Sequence, residues 1–110
     1  MEWILENGDT SITVQVIEDI ATEVKNVMEG KSEFLILSPS EPIRACNFMQ
    51  ATKVNDESLH FEVSLIQPSG KTHVCYKACS PNVAICLLTM FYTENAVPDI
   101  ADWTFSGEFG

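Results

Sequence analysis

Little in this chain is basic. Six lysines and arginines stand against sixteen aspartates and glutamates, for a net charge of -10, and no lysine or arginine lies beyond Lys77. Such a chain repels phosphate backbones and anionic lipid, so nucleic acid and membrane surfaces are not expected partners. Histidine occurs only as His60 and His73. No apolar run approaches the roughly 18–20 residues of a membrane helix. The opening residues MEWILENGDT are acidic and lack the basic start and apolar stretch of a signal peptide, which places the protein in the cytoplasm as an expectation. The phosphate-cradling, nucleophile-elbow and zinc-protease motifs are all missing. His60-Phe61-Glu62 has no P-C-x-x-C partner of the kind a zinc deaminase needs.

The cysteines are few and awkwardly spaced. Cys46, Cys75, Cys79 and Cys86 form the pattern C-x28-C-x3-C-x6-C, with no C-x2-C pair. That spacing speaks against a structural zinc site, and a cytoplasmic setting speaks for reduced thiols packed as small hydrophobes. His73 with Cys75 and Cys79 is the one conceivable metal cluster. Cys79 precedes Ser80-Pro81 at an expected helix start, where a thiol pKa can be lowered. No cofactor or metal is expected.

What is present describes one domain over residues 1–110 of 45% hydrophobic composition. Asn7-Gly8-Asp9 lies between the apolar runs Trp3–Leu5 and Ile12–Val16, a hairpin signal, so residues 1–16 form a hairpin or an extended arm. Ile17, Ile20, Ala21, Val24, Val27 and Met28 recur at helical steps, predicting an amphipathic helix over 17–29 with Gly30 as its stop. Its outer face would carry Glu18, Glu23, Lys25 and Asn26. Four alternating segments over 33–78 predict an antiparallel meander. Ser80-Pro81 opens a second helix over 81–93, apolar nearly all round and so deeply buried across the meander. Residues 100–105 form a possible edge strand and 106–110 a frayed tail. The predicted class is therefore α+β: a four-strand antiparallel meander covered by a C-terminal helix, with an N-terminal hairpin and helix. There are no repeats and no linker.

Four-residue loops at 55–58 and 67–70 set a register. Val54 then faces Leu59, Gln50 faces Val63, Phe48 faces Leu65, and Phe61 faces Tyr76. The expected core comprises Phe48, Phe61, Val63, Leu65, Val74, Tyr76, Ile85, Leu88 and Phe91. In this register Gln50 is buried, and its amide must find partners as a clamp between the sheet and a non-helical segment. The opposite face carries Asn47, Met49, His60, Glu62, Ser64, His73 and Cys75, with Glu62 facing Cys75 and Ser64 facing His73. Those residue types can make a catalytic set, but a flat sheet face rarely supplies a nucleophile with both a base and an orienting group. A solvated face or a partner-binding face is the simpler reading, and no catalytic residue is assigned.

The charge map points outward from the meander. Residues 1–33 carry eight acids and two bases, 34–78 four of each, and 79–110 four acids and no base. Candidate contacts for a basic protein partner are Glu18, Glu23, Glu29, Glu94, Asp99 and Asp102. The face around Asn47, Met49, His60, Glu62 and His73 is the alternative.

From Phe34 to Trp103 the chain also resembles small bacterial α+β immunity proteins of polymorphic toxin systems, the Imm1-like type. The matching stretches are "EFLIL", "NFMQA", "HFEV", a Tyr-bearing fourth strand, a helix ending "FYTE" and a final Asp-Trp, with Trp3 near the start. The resemblance implies a non-enzymatic protein that binds and blocks a toxin domain, and a basic toxin would suit the charge. Two other classes stand beside it. One is an acidic secretion chaperone, which would be a homodimer. The other is a small thiol or metal protein. Monomer and homodimer are both compatible with the residues.

Overall fold

A computed structural model describes residues 1–109. The chain forms β1 (Trp3–Glu6), β2 (Ser11–Thr13), α1 (Ile17–Met28), β3 (Phe34–Pro39), β4 (Cys46–Asn55), β5 (Ser58–Ile66), β6 (Thr72–Cys79), α2 (Pro81–Glu94) and β7 (Thr104–Phe109). The strands make a single seven-stranded sheet in the order β2-β1-β3-β4-β5-β6-β7, with every neighbouring pair antiparallel. The α+β class and the antiparallel meander match expectation. The strand number does not: the hairpin and the tail extend the four-strand core at its two edges.

Local chemistry accounts for the element ends. The Asn7 side chain accepts the Asp9 and Thr10 amides at 3.1 and 2.9 Å, closing the β1–β2 turn. Gly8 there has φ +95°, and a Cβ on it would meet the Phe34 ring at 3.2 Å. At the start of α1, the Asp19 carboxylate reaches back to accept the Gln15 amide at 2.9 Å. At its end, Gly30 N–H donates to Val27 O and Lys31 N–H to Asn26 O, the paired bonds of a glycine-terminated helix. Ser80 Oγ accepts the Val83 amide at 3.2 Å, with Pro81 in the first turn of α2.

Both helices lie on one side of the sheet. Along β3, Leu35 and Leu37 are fully buried while Phe34 and Ile36 are only half-buried; Phe61 and Val63 play the same part on β5. Ile20, Val24 and Val27 of α1 and Ala84, Leu88 and Phe91 of α2 complete this core. Trp3 ties the hairpin to it, meeting Phe91 edge-on at 4.9 Å and Tyr92 at 5.5 Å. Phe61 meets Trp103 edge-on at 6.1 Å, which brings the segment after α2 onto the same side.

The expected register is wrong on β4 and β6, by one residue in each case. Lys53 pairs with Leu59, Ala51 with Phe61 and Met49 with Val63, because Val54 bulges out before Asn55 meets Ser58. The β5–β6 loop holds five residues, closed by Gln67 N–H to Lys71 O at 2.7 Å, so Leu65 pairs with His73 and Val63 with Cys75. A one-residue slip turns every side chain to the other face. Gln50 is therefore half-buried on the open face between Ile36 and Glu62, and clamps nothing. Phe48, Val74 and Tyr76, expected in the core, share that open face. Met49 and Ala51 take their place under the helices.

Three further expectations are corrected. Glu23 is buried, not on the outer face of α1: it accepts Ser32 Oγ at 2.7 Å and Asn26 Nδ2 at 3.4 Å, tying the helix to the turn that follows. Helix α2 buries one stripe only, and Val83, Cys86 and Met90 are exposed on its outer side. The strand expected at 100–105 lies at Thr104–Phe109, so most of the supposed tail is in the sheet; Gly110 lies outside the described residues.

One turn carries strain. Ile43 and Cys46 exchange both backbone hydrogen bonds at 3.0 and 2.8 Å, and Arg44 and Ala45 between them sit at φ 49° and 65°. Left-handed backbone costs a residue with a Cβ roughly 1–2 kcal/mol. Ala45→Gly should therefore raise stability by about 0.5–1 kcal/mol after its greater unfolded-chain entropy is deducted, read as a higher urea midpoint at unchanged slope. Leu88→Ala, at the centre of the helix–sheet core, should lower stability by about 2–5 kcal/mol in the same measurement; a parent-like midpoint would mean that α2 does not cover the sheet.

Candidate functional site

The side of the sheet away from the helices has no element over it among the described residues. Its side chains form cross-strand rows. One row runs through all seven strands as Ser11, Glu6, Ile36, Gln50, Glu62, Tyr76 and Thr104. A neighbouring row runs Phe48, Ser64, Val74 and Gly107, and another Phe34, Thr52, His60 and Ala78. The acids and histidine in these rows are Glu6, His60 and Glu62, and none of their positions holds a lysine or arginine.

His60 and Glu62 are neighbours on the same face of β5. His60 Nε2 lies 3.1 Å from Glu62 Oε1, and the imidazole stacks on the Tyr76 ring at 4.5 Å. Ser64 comes next along the strand. Phe48 on β4 and Val74 on β6 flank it, and its hydroxyl is fully buried with no hydrogen-bond partner. Such a group costs roughly 1–3 kcal/mol of lost hydration. It lines a cavity of about 540 Å³ together with Asn47, Phe48, Glu62, Thr72 and Val74. A smaller cavity of about 390 Å³ lies at the hairpin turn beside Glu6, Asp9 and Phe34. The polar side chains there face solvent and are not held for a ligand.

The expected sheet-face site is thus divided. Asn47, His60 and Glu62 lie on the open face. Met49 is fully buried beneath the helices. His73 points to the helix side of β6, beside the edge strand β7, where it meets Glu108 Oε2 at 2.6 Å and the Phe105 ring at 4.9 Å. The Glu62–Cys75 and Ser64–His73 pairs do not form; Glu62 pairs with Tyr76 and Ser64 with Val74. Ser64 Oγ has no base in hydrogen-bond reach, so His60, Glu62 and Ser64 do not make an activated nucleophile. Sequence reasoning missed Phe48, Thr72 and Val74 as lining residues, having assigned them to the other face.

The acidic candidates do not form one patch either. Glu18 and Glu29 stand at opposite ends of α1, and Glu23 is turned inward. Glu29 is paired with Lys31 at 3.1 Å, and that ammonium holds its carboxyl below the usual range. Glu94, Asp99 and Asp102 are exposed around the α2–β7 connection, where Asp99 accepts the Ala101 amide at 3.0 Å.

All four thiols are free. Among the described residues no three His, Cys, Asp or Glu side chains are placed to hold a metal ion. Burial pushes Cys79 upward, against the lowering expected of its position before α2. Burial pushes Cys46 up to about 12 from an ordinary 9.0. Folding stability should therefore fall as pH rises from about 9 to about 12, because the unfolded thiol ionises and the folded one does not, by up to about 1.4 kcal/mol per pH unit. Iodoacetamide on the native protein should label exposed Cys86 quickly and Cys46 only after unfolding, as peptide mass mapping would show.

No helix among the described residues is long and apolar enough to cross a membrane. Comparison of the chain with protein-family models, curated proteins and solved structures gives no significant match. The functional reading therefore rests on the geometry.

Proposed function

We propose that this protein is a non-catalytic binding module that docks a basic protein partner on the open face of its sheet, as an immunity protein would mask a toxin domain. The observation that carries the reading is the uncovered face itself. It combines apolar and aromatic side chains, Phe34, Ile36, Phe48, Val74 and Tyr76, with Glu6 and Glu62 and no lysine or arginine among its rows. Interface centres have that aromatic and weakly charged character. The net charge of -10 selects the partner's sign. It also works against the chaperone-like alternative of two copies meeting face to face, since like charges repel. Glu18, Glu94, Asp99 and Asp102 lie on or beside the helices, away from the open face, and act by long-range steering and not by contact. Charge of this kind speeds encounter more than it strengthens the complex.

A test needs a defined partner. The candidate is a basic toxin domain, assayed by surface plasmon resonance. The on-rate should fall as ionic strength rises and should fall further with Asp102→Lys. Phe48→Asp should abolish binding while leaving the circular dichroism spectrum intact. Binding that survives Phe48→Asp would remove the open face from the interface. A dimer in light scattering that Phe48→Asp converts to monomer would instead make the face a self-association surface and overturn the proposal.

A further inference from the structure

We infer that the cavity over Ser64 is a socket for one cationic side chain, an arginine above all, presented by the partner. The inference rests on the reading of the open face as the docking surface and deepens it. Three observations converge on the cavity. First, Ser64 lies at the floor of the cavity and its fully buried hydroxyl has no partner in the protein, so a donor that displaces the flanking Phe48 or Val74 side chain meets an unsatisfied acceptor. Second, Glu62 stands in the same wall. Its Oε1 is met by His60 at 3.1 Å, and among the described residues its other oxygen has no protein donor. Third, the remaining wall mixes Phe48 and Val74 with the Asn47 amide and Thr72 hydroxyl, which suits an apolar stem ending in several N–H groups.

The sign of the ligand follows from the same residues. An anion would meet the Glu62 carboxylate with no lysine or arginine in the cavity wall to offset it. A neutral apolar group would leave Ser64 unsatisfied and strip water from the carboxylate. A guanidinium offers a fork of donors to Glu62, with Ser64 within reach once Phe48 shifts, and a planar surface for the Phe48 ring. A lysine ammonium would satisfy the carboxylate and give up the stacking. The cavity volume of about 540 Å³ leaves room for one such side chain and for water around it.

The test uses the full-length isotope-labelled chain and N-acetyl-arginine amide as probe, with N-acetyl-glutamate and N-acetyl-leucine amide as controls. The arginine probe should produce saturable amide shifts centred on Asn47, Phe48, Glu62, Ser64 and Val74, and the controls should not. Glu62→Gln should weaken the arginine probe at least about tenfold, the scale of a lost charge-assisted hydrogen bond. Ser64→Ala should weaken it less and should not destabilise the fold, because the hydroxyl has no partner to lose. An absent or unsaturable response overturns the socket, as does an equal response to N-acetyl-glutamate or indifference to Glu62→Gln. If the socket fails while a basic protein still binds in a Phe48-dependent way, the docking reading stands alone. If the arginine probe binds and no basic protein does, the socket stands and the docking reading falls.

Discussion

β4 is the middle strand of the seven, and two extra residues, Asn47 near its start and Val54 near its end, decide which of its side chains meet the helices. Cys46 pairs with Leu65 and Phe48 with Ser64, so Asn47 has no partner across the ladder. A bulge of this kind breaks the two-residue alternation. Cys46 is buried in the core, and after the bulge so are Met49 and Ala51, while Phe48, Gln50 and Thr52 turn outward. The strained Arg44–Ala45 turn stands just before it, and the Ala45 carbonyl accepts the Ile66 amide at 2.7 Å. That bond holds the start of β4 to the end of β5. The composition of both sheet faces follows from this junction together with the Val54 bulge, because β3 and β5 pair with the stretch of β4 between them.

The helix side then assembles around aromatic contacts. Trp3 from the first strand reaches Phe91 and Tyr92 on α2, and Phe61 from mid-sheet reaches Trp103. These join segments far apart in the chain into one layer. Glu23 adds a polar tie at the end of α1, where two hydrogen bonds offset the removal of its carboxylate from water. Once both helices are committed to this side, the other is left to solvent or to a partner. The unpaired Ser64 hydroxyl beside Glu62 is a polarity the fold itself leaves unused. A protein that binds by this face keeps its apolar groups half-buried among neighbours on adjacent strands, which limits nonspecific association. The net charge of -10 opposes self-association further.

Much was legible in the residues. Asn7-Gly8-Asp9 marked the hairpin, the stripe from Ile20 to Met28 with Gly30 marked α1, and Ser80-Pro81 marked α2. All three depend on interactions within a few positions of one another, which local patterns record. The alternation of Leu59, Phe61 and Val63 determined the facing of β5 for the same reason, and the acidic excess of the first and last thirds was plain from composition. Tertiary structure decided the rest. An unpaired Val54 and a fifth loop residue at Lys71 each reversed a strand, since the period of two converts a single added residue into a change of face. Gln50 and Phe48 thereby left the expected core, and Phe48, Glu62 and Ser64, from two strands, came to line one cavity. The outward side of Val83 and Met90 was likewise hidden in a helix apolar nearly all round, because composition cannot say how much of it a sheet will cover.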